Sequence, residues 1–210
     1  MKALLINGSP RPNGCTFTAL TELAKTLEEE GIETEIIHVG SKDIRGCIAC
    51  RRCHAGLSKC VFDDIVNEVA PKLAEADIFV IGAPVYYGSP AGGAISFMDR
   101  LFFSTMHEDK TMKVGAAVVT CRRGGNTSSF DVLNKYFTIS GMPIASSQYW
   151  NMVYGGSAEE VLKDAEGLQT MRTLGRNIAF LAKSIQLGKE KFGLPEKEPA
   201  IFTNFAFAKQ

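Results

Sequence analysis

KALLINGSPRPNGCT, from Lys2 to Thr16, decides the fold. Lys2 to Asn7 is a short apolar run that stops at Gly8-Ser9-Pro10. From Thr16 to Glu30, Phe17, Leu20, Ala24 and Leu27 then recur at helical spacing. A strand that passes through a glycine-rich loop into an amphipathic helix is the opening unit of an α/β sheet. Gly31 stops the helix, and Glu33 to Val39 reads as a second strand whose charges suit a sheet edge.

The same alternation continues outward. Asp63 and Asp64 can cap a helix through Ala76, after which Ile78-Phe79-Val80-Ile81 is the continuous apolar run of a strand buried on both faces. Ala91 to Phe103 reads as a helix, Met112 to Thr120 as a fourth strand and Asn126 to Ser140 as a helix ended by Gly141. Ile144 to Met152 reads as a fifth strand, and one long helix is expected from Ala158 to Gln186. Right-handed crossovers then give an α/β fold of three layers, a flavodoxin-like doubly wound parallel five-stranded sheet of order 2-1-3-4-5. One domain is expected over residues 1–187, with a cysteine-rich insertion at 45–62. A tail at 188–210, apolar through Phe202, Phe205 and Phe207, should pack on this subunit or a neighbour.

Composition narrows the function classes. The 23 Lys plus Arg balance the 23 Asp plus Glu, so no global field recruits nucleic acid or a membrane surface. The apolar stretch at the N-terminus is too short for a signal peptide core, and no run reaches the roughly 18 apolar residues of a spanning helix. A soluble, cytoplasmic protein is expected. In that compartment the six cysteines are not expected to form structural disulfides.

Chemistry is expected in the loops after the first and third strands, because ligands of open α/β sheets sit where the strand order reverses. Gly8 to Thr16 combines glycines, hydroxyls and Arg11 before a helix N-terminus, a set that binds a phosphate group. The glycine spacing is not that of a Walker A loop, Cys15 stands where its lysine would be, and no G-x-G-x-x-G occurs. A mononucleotide such as FMN fits better than ATP, GTP or a dinucleotide. Gly82 to Pro90 carries Tyr86 and Tyr87, whose faces suit a flat ring or, alternatively, pack under the next helix. Thr120 to Asn126 is a third glycine-rich loop at the same edge, and its Arg122 and Arg123 suit either the 2′-phosphate of NADPH or solvent.

Cys47, Cys50, Cys53 and Cys60 form a compact array, with Arg45, Arg51 and Arg52 to offset the charge of bound thiolates. A 4Fe-4S cluster is the first candidate, zinc the second. Reduced packing thiols or a redox pair are the alternatives. His54, inside the loop, reads as a surface residue.

Gly8-Ser9-Pro10-Arg11 with Asn13-Gly14 and Thr16, and then Pro84-Val85-Tyr86-Tyr87-Gly88, resemble the phosphate and ring loops of the NADPH-dependent FMN reductase superfamily. The cysteine array followed by Asp63-Asp64, together with Thr203-Asn204-Phe205, resembles its iron-sulfur flavoprotein branch. Cys15 stands where many relatives have asparagine. The resemblance implies FMN held at its phosphate by Ser9, Arg11, Gly14, Cys15 and Thr16. It implies Pro84, Val85, Tyr86, Tyr87 and Gly88 at the ring, with Thr120, Cys121, Arg122, Gly124 and Gly125 on its far side. It also implies a homodimer, or a dimer of dimers, with FMN near the subunit interface.

The expected activity is an FMN-dependent oxidoreductase in which the flavin carries the chemistry and no side chain need act as acid or base. Electrons would come from NAD(P)H or a ferredoxin-like donor and pass to a small acceptor. An FMN and iron-sulfur electron carrier and a redox- or metal-sensing binding protein are the competing readings. Carriers dock electrostatically, and a neutral chain favours the first reading.

Overall fold

The computed structural model describes residues 1–57, 59–199 and 201. Strand β1 (Lys2–Asn7) leads into helix α1 (Cys15–Glu29), strand β2 (Glu33–His38), the cysteine loop with one π-helical turn at Cys53–Leu57, and helix α2 (Ile65–Glu75). Strand β3 (Ile78–Tyr86) folds back on a two-residue strand β4 (Ser89–Pro90), followed by α3 (Gly92–Ser104), β5 (Val114–Cys121), α4 (Asn126–Ile139), β6 (Met152–Tyr154), α5 (Ala158–Val161) and α6 (Ala165–Phe192).

The sheet runs β2-β1-β3-β5-β6 with every neighbour parallel, and β4 pairs antiparallel with the end of β3. Apart from that short addition, this is the expected flavodoxin-like topology. Side chains alternate across each strand. Leu5, Ile78, Val80, Ala116 and Val118 join the core under α1 and α6, while Leu4, Ile6, Phe79, Ile81, Ala117 and Val119 join the core under α2, α3 and α4. Burial on both faces explains the unbroken apolar run in β3. The open edge β2 keeps Glu33 exposed, which discourages pairing with another chain.

Two expected elements differ. The fifth strand is not continuous from Ile144 to Met152: Ile144 makes one bridge to Gly115, the chain leaves the sheet, and Met152–Tyr154 pairs with Val119–Cys121. Ser146-Ser147-Gln148 offers no apolar side chain to the core. The bulge is held by buried Asn151, whose amide accepts from Ser147 Oγ at 2.9 Å and donates to the Ala145 carbonyl at 3.4 Å.

The last helix is likewise divided. Asp164 accepts from Gly167 N at 2.9 Å and from Tyr154 N at 2.7 Å, capping a new helix that runs past position 188 to Phe192. Val161 and Met171 enter the same core on either side of the break, so the apolar period continues across it. Beyond Phe192, Lys197 pairs with Asp109 at 2.6 Å. The tail aromatics Phe202, Phe205 and Phe207, and Thr203-Asn204-Phe205, lie outside the described residues. Among the described residues no helix is long and apolar enough to cross a membrane.

Candidate functional site

β1 leads to a helix on one face of the sheet and the adjacent β3 to a helix on the other, the arrangement in which open α/β sheets form a ligand crevice outside the strands' carboxyl ends. The loop after β1 is tied down from inside. The fully buried Asn7 donates its amide to the Pro12 carbonyl at 3.0 Å and accepts from Ser9 N at 3.1 Å, and Ser9 Oγ accepts from Arg11 N at 3.2 Å. From below, His38 Nε2 pairs with the Ser9 carbonyl at 2.8 Å, and Gly8 N donates to the Gly82 carbonyl at 2.8 Å. Gly40 packs so closely that a Cβ there would lie 2.2 Å from the Ser9 carbonyl.

This scaffold positions the start of α1, where Gly14 is the N-cap and no side chain caps the helix. An uncapped N-terminus leaves backbone N–H groups and the positive end of the helix dipole for an anion, and Arg11 stands exposed beside it. Thr16 is placed differently from the expectation. Its side chain is fully buried and its hydroxyl pairs with that of Thr120 at 2.9 Å, linking α1 to the end of β5 beneath the loop. Thr16→Val should therefore cost about 1–3 kcal/mol in denaturant unfolding by stranding the Thr120 hydroxyl, and Thr16→Val/Thr120→Val should recover most of that loss. Cys15 Sγ donates to the Gly155 carbonyl at 3.5 Å, and burial pushes its thiol above the usual range.

β3 carries the second loop outward as a hairpin, with Val85 opposite Pro90 and Tyr86 opposite Ser89. Tyr87 turns it with φ of 60°, a conformation rare outside glycine, and its ring is wholly exposed. Tyr86 is half exposed. Neither tyrosine packs under the next helix, so two aromatic faces stand free at the crevice.

The third loop meets the second. Gly125 has φ of 84°, a Cβ there would stand 2.8 Å from Val85 Cγ1 and 3.1 Å from Tyr87 O, and Ser128 Oγ donates to the Gly88 carbonyl at 2.6 Å. Arg122, Arg123 and Gly124 are exposed, but Thr120 and Cys121 are buried strand residues, with burial raising the Cys121 thiol. Their side chains serve the core. Sequence reasoning missed Asn7, His38, Gly40 and Ser128; a polar residue ending an otherwise apolar strand was the one signal available, at Asn7.

The four clustered cysteines line one small cavity of about 20 Å³ together with Phe62, Phe103 and Arg100. Ala49 and Arg51 have φ of 53° and 55°, two left-handed non-glycine residues between the thiols, and Ala49 N donates to Cys47 Sγ at 3.4 Å. Burial raises the Cys53 thiol, with Cys50 and Cys60 adding to the shift. All four are free thiols. Among the described residues, no three His, Cys, Asp or Glu side chains are grouped as ligands of a single metal ion. An iron-sulfur cluster carries its ligand sulfurs on separate irons, so it asks for four thiols around one cavity rather than four on one point. His54 stacks on Phe103 at 4.5 Å and bonds its carbonyl, away from the thiols. A second cavity of about 920 Å³ adjoins Cys47 but lies away from the crevice, lined by Met106, Tyr136 and Ile139.

Comparison with known proteins agrees with this architecture. Residues 1–156 match the NADPH-dependent FMN reductase family model. An iron-sulfur flavoprotein of Methanocaldococcus jannaschii is 34% identical over 193 residues, covering 89% of this chain and 100% of the relative. One from Methanosarcina thermophila is 27% identical, covering 91% and 100%. Among solved structures, RosB with a bound 8-demethyl-8-formylriboflavin-5′-phosphate intermediate superposes with a TM-score of 0.71 at 20% identity, over 98% of this chain and 92% of that one. A flavodoxin from the Archaea gives 0.58 at 17% identity, over 87% and 99%. Since the family model spans most of the chain and the Methanocaldococcus relative is matched along its whole length, the chain belongs to the NADPH-dependent FMN reductase family, in its iron-sulfur flavoprotein branch.

Proposed function

We propose that this chain is an FMN-dependent oxidoreductase that takes electrons from NAD(P)H or a ferredoxin-like protein and passes them to a small acceptor such as a flavin or quinone. One observation carries the reading: an uncapped helix N-terminus and two solvent-facing tyrosines follow the adjacent strands β1 and β3, whose carboxyl ends are tied by the bond from Gly8 N to Gly82 O. The first receives a phosphate and the second a flat ring. FMN, when bound, accepts hydride or single electrons. The protein's own part is orientation: backbone N–H groups of Cys15 and Thr16 with Arg11 fix the phosphate, and Tyr86 to Gly88 border the ring while Gly125 lets the third loop close beside it.

A second reading, an FMN and iron-sulfur electron carrier, is favoured by the four thiols around one cavity. Their donor set fits a 4Fe-4S cluster bound by Cys47, Cys50, Cys53 and Cys60. The two readings share the flavin and differ in whether the chain has a small-molecule substrate of its own. A homodimer in the cytoplasm completes the proposal.

Protein purified without oxygen is expected to titrate with FMN to one flavin per chain, and NADPH is expected to bleach the flavin bands in stopped flow. A flavin that is not bleached by NADPH and, once reduced, passes its electrons to no free flavin or quinone assigns the carrier reading. A chain that binds no FMN overturns both.

A further inference from the structure

Arg100 is the most buried charge described. Its α3 side chain has no exposure, at a position where a helix facing the core ordinarily carries leucine. Burying a guanidinium is unfavourable unless its donors are met, and here all are. Nη1 donates to Asp64 Oδ2 at 2.6 Å and to the Arg45 carbonyl at 3.4 Å. Nη2 donates to Asp64 Oδ1 at 2.9 Å and to the Phe62 carbonyl at 3.4 Å. The remaining contacts point at sulfur: Nε lies 3.3 Å and Nη2 3.2 Å from Cys60 Sγ. The ring of Phe62 lies under the guanidinium at 5.0 Å.

A structural ion pair would end at Asp64. Two donors aimed at one thiol do more. We propose that Arg100 is a positioning residue of the four-cysteine site, whose fork, oriented by Asp64, donates two hydrogen bonds to Cys60 Sγ and thereby fixes that ligand and raises the reduction potential of the cluster it helps hold. The proposal rests on the cluster reading above. Hydrogen bonds to ligand sulfur and nearby positive charge both stabilise the more negative, reduced cluster. Reduction adds one electron and makes or breaks no bond to Arg100. Asp64 cancels much of the long-range charge, so the effect is carried at short range by the N–H groups on sulfur.

The test is an EPR-monitored dithionite titration of the reconstituted full chain with iron analysis. Wild type is expected to bind four irons per chain. Arg100→Gln should shift the reduction equilibrium against the reduced cluster at least tenfold, which is about 59 mV for one electron. Arg100→Lys, which keeps charge but loses the fork, should shift it less. Arg100→Gln/Asp64→Asn removes the ion pair without stranding either charge, and should still be shifted. Reduction equilibrium constants within twofold of wild type in Arg100→Gln and in the double variant overturn the role of Arg100 while leaving the cluster intact. Wild type that takes up no iron overturns the cluster reading and this proposal together. Pulsed EPR of wild type with isotopically labelled arginine nitrogen needs no substitution: a coupling to the reduced cluster supports the proposal, and its absence overturns it even if every variant misfolds.

Discussion

Gly40→Ala is expected to weaken FMN binding at least about tenfold, some 1.4 kcal/mol or more, while leaving the sheet intact. The reason is geometric. A Cβ at position 40 would lie 2.2 Å from both C and O of Ser9 and 2.6 Å from C of Gly8, all backbone atoms that no rotamer change can move aside. The loop after β1 must then shift. It is held by His38 on Ser9 O and by Asn7 on Ser9 N and Pro12 O, so it moves as a unit and carries Ser9 and Arg11 off the start of α1. Gly188→Ala is the control, because nothing lies within 4 Å of a Cβ there. Fluorescence titration with FMN and far-UV circular dichroism check the result. Equal affinity for the two variants would remove the loop after β1 from the flavin site.

Asp64→Ala is expected to destabilise the metal-free protein by about 3–5 kcal/mol, because it strands a buried arginine. Asp64 has two tasks. Its Oδ1 accepts from Val66 N at 3.1 Å as the N-cap of α2, and both oxygens receive the Arg100 fork. The cap alone is worth about 1 kcal/mol, and the uncompensated guanidinium supplies the larger part. Asp63, next in the chain but exposed, should cost under about 0.5 kcal/mol when changed to alanine. Urea unfolding of the two variants checks the contrast. Similar small losses would show that the Arg100 to Asp64 pair is not held in solution.

The neighbouring aspartates show where reading the chain stops. Either Asp63 or Asp64 suited the cap by composition, and only the packing of α3 against the cysteine loop selects Asp64. Arg100 gave no sign of its role, for one arginine in an apolar helix segment is indistinguishable from a residue turned to solvent until its neighbours are known.

Hydrophobic period and glycine placement by themselves determined the order of strands and helices, the edge position of β2, the central position of β3 and the three loops at one end of the sheet. These are local consequences of which side chains must leave water and of where the chain can turn. Tertiary structure alone decided the rest. It broke the fifth strand at Asn151 and the last helix at Asp164, because a buried amide and a capping carboxylate meet backbone partners six and ten residues away that only the folded loops bring within reach. It turned Thr16 inward onto Thr120 and left Tyr86 and Tyr87 facing solvent. It also brought Arg100 to Cys60 across 40 residues. Polar side chains are directed by whichever partner packing brings within reach, and that information lies in the fold rather than in any one segment.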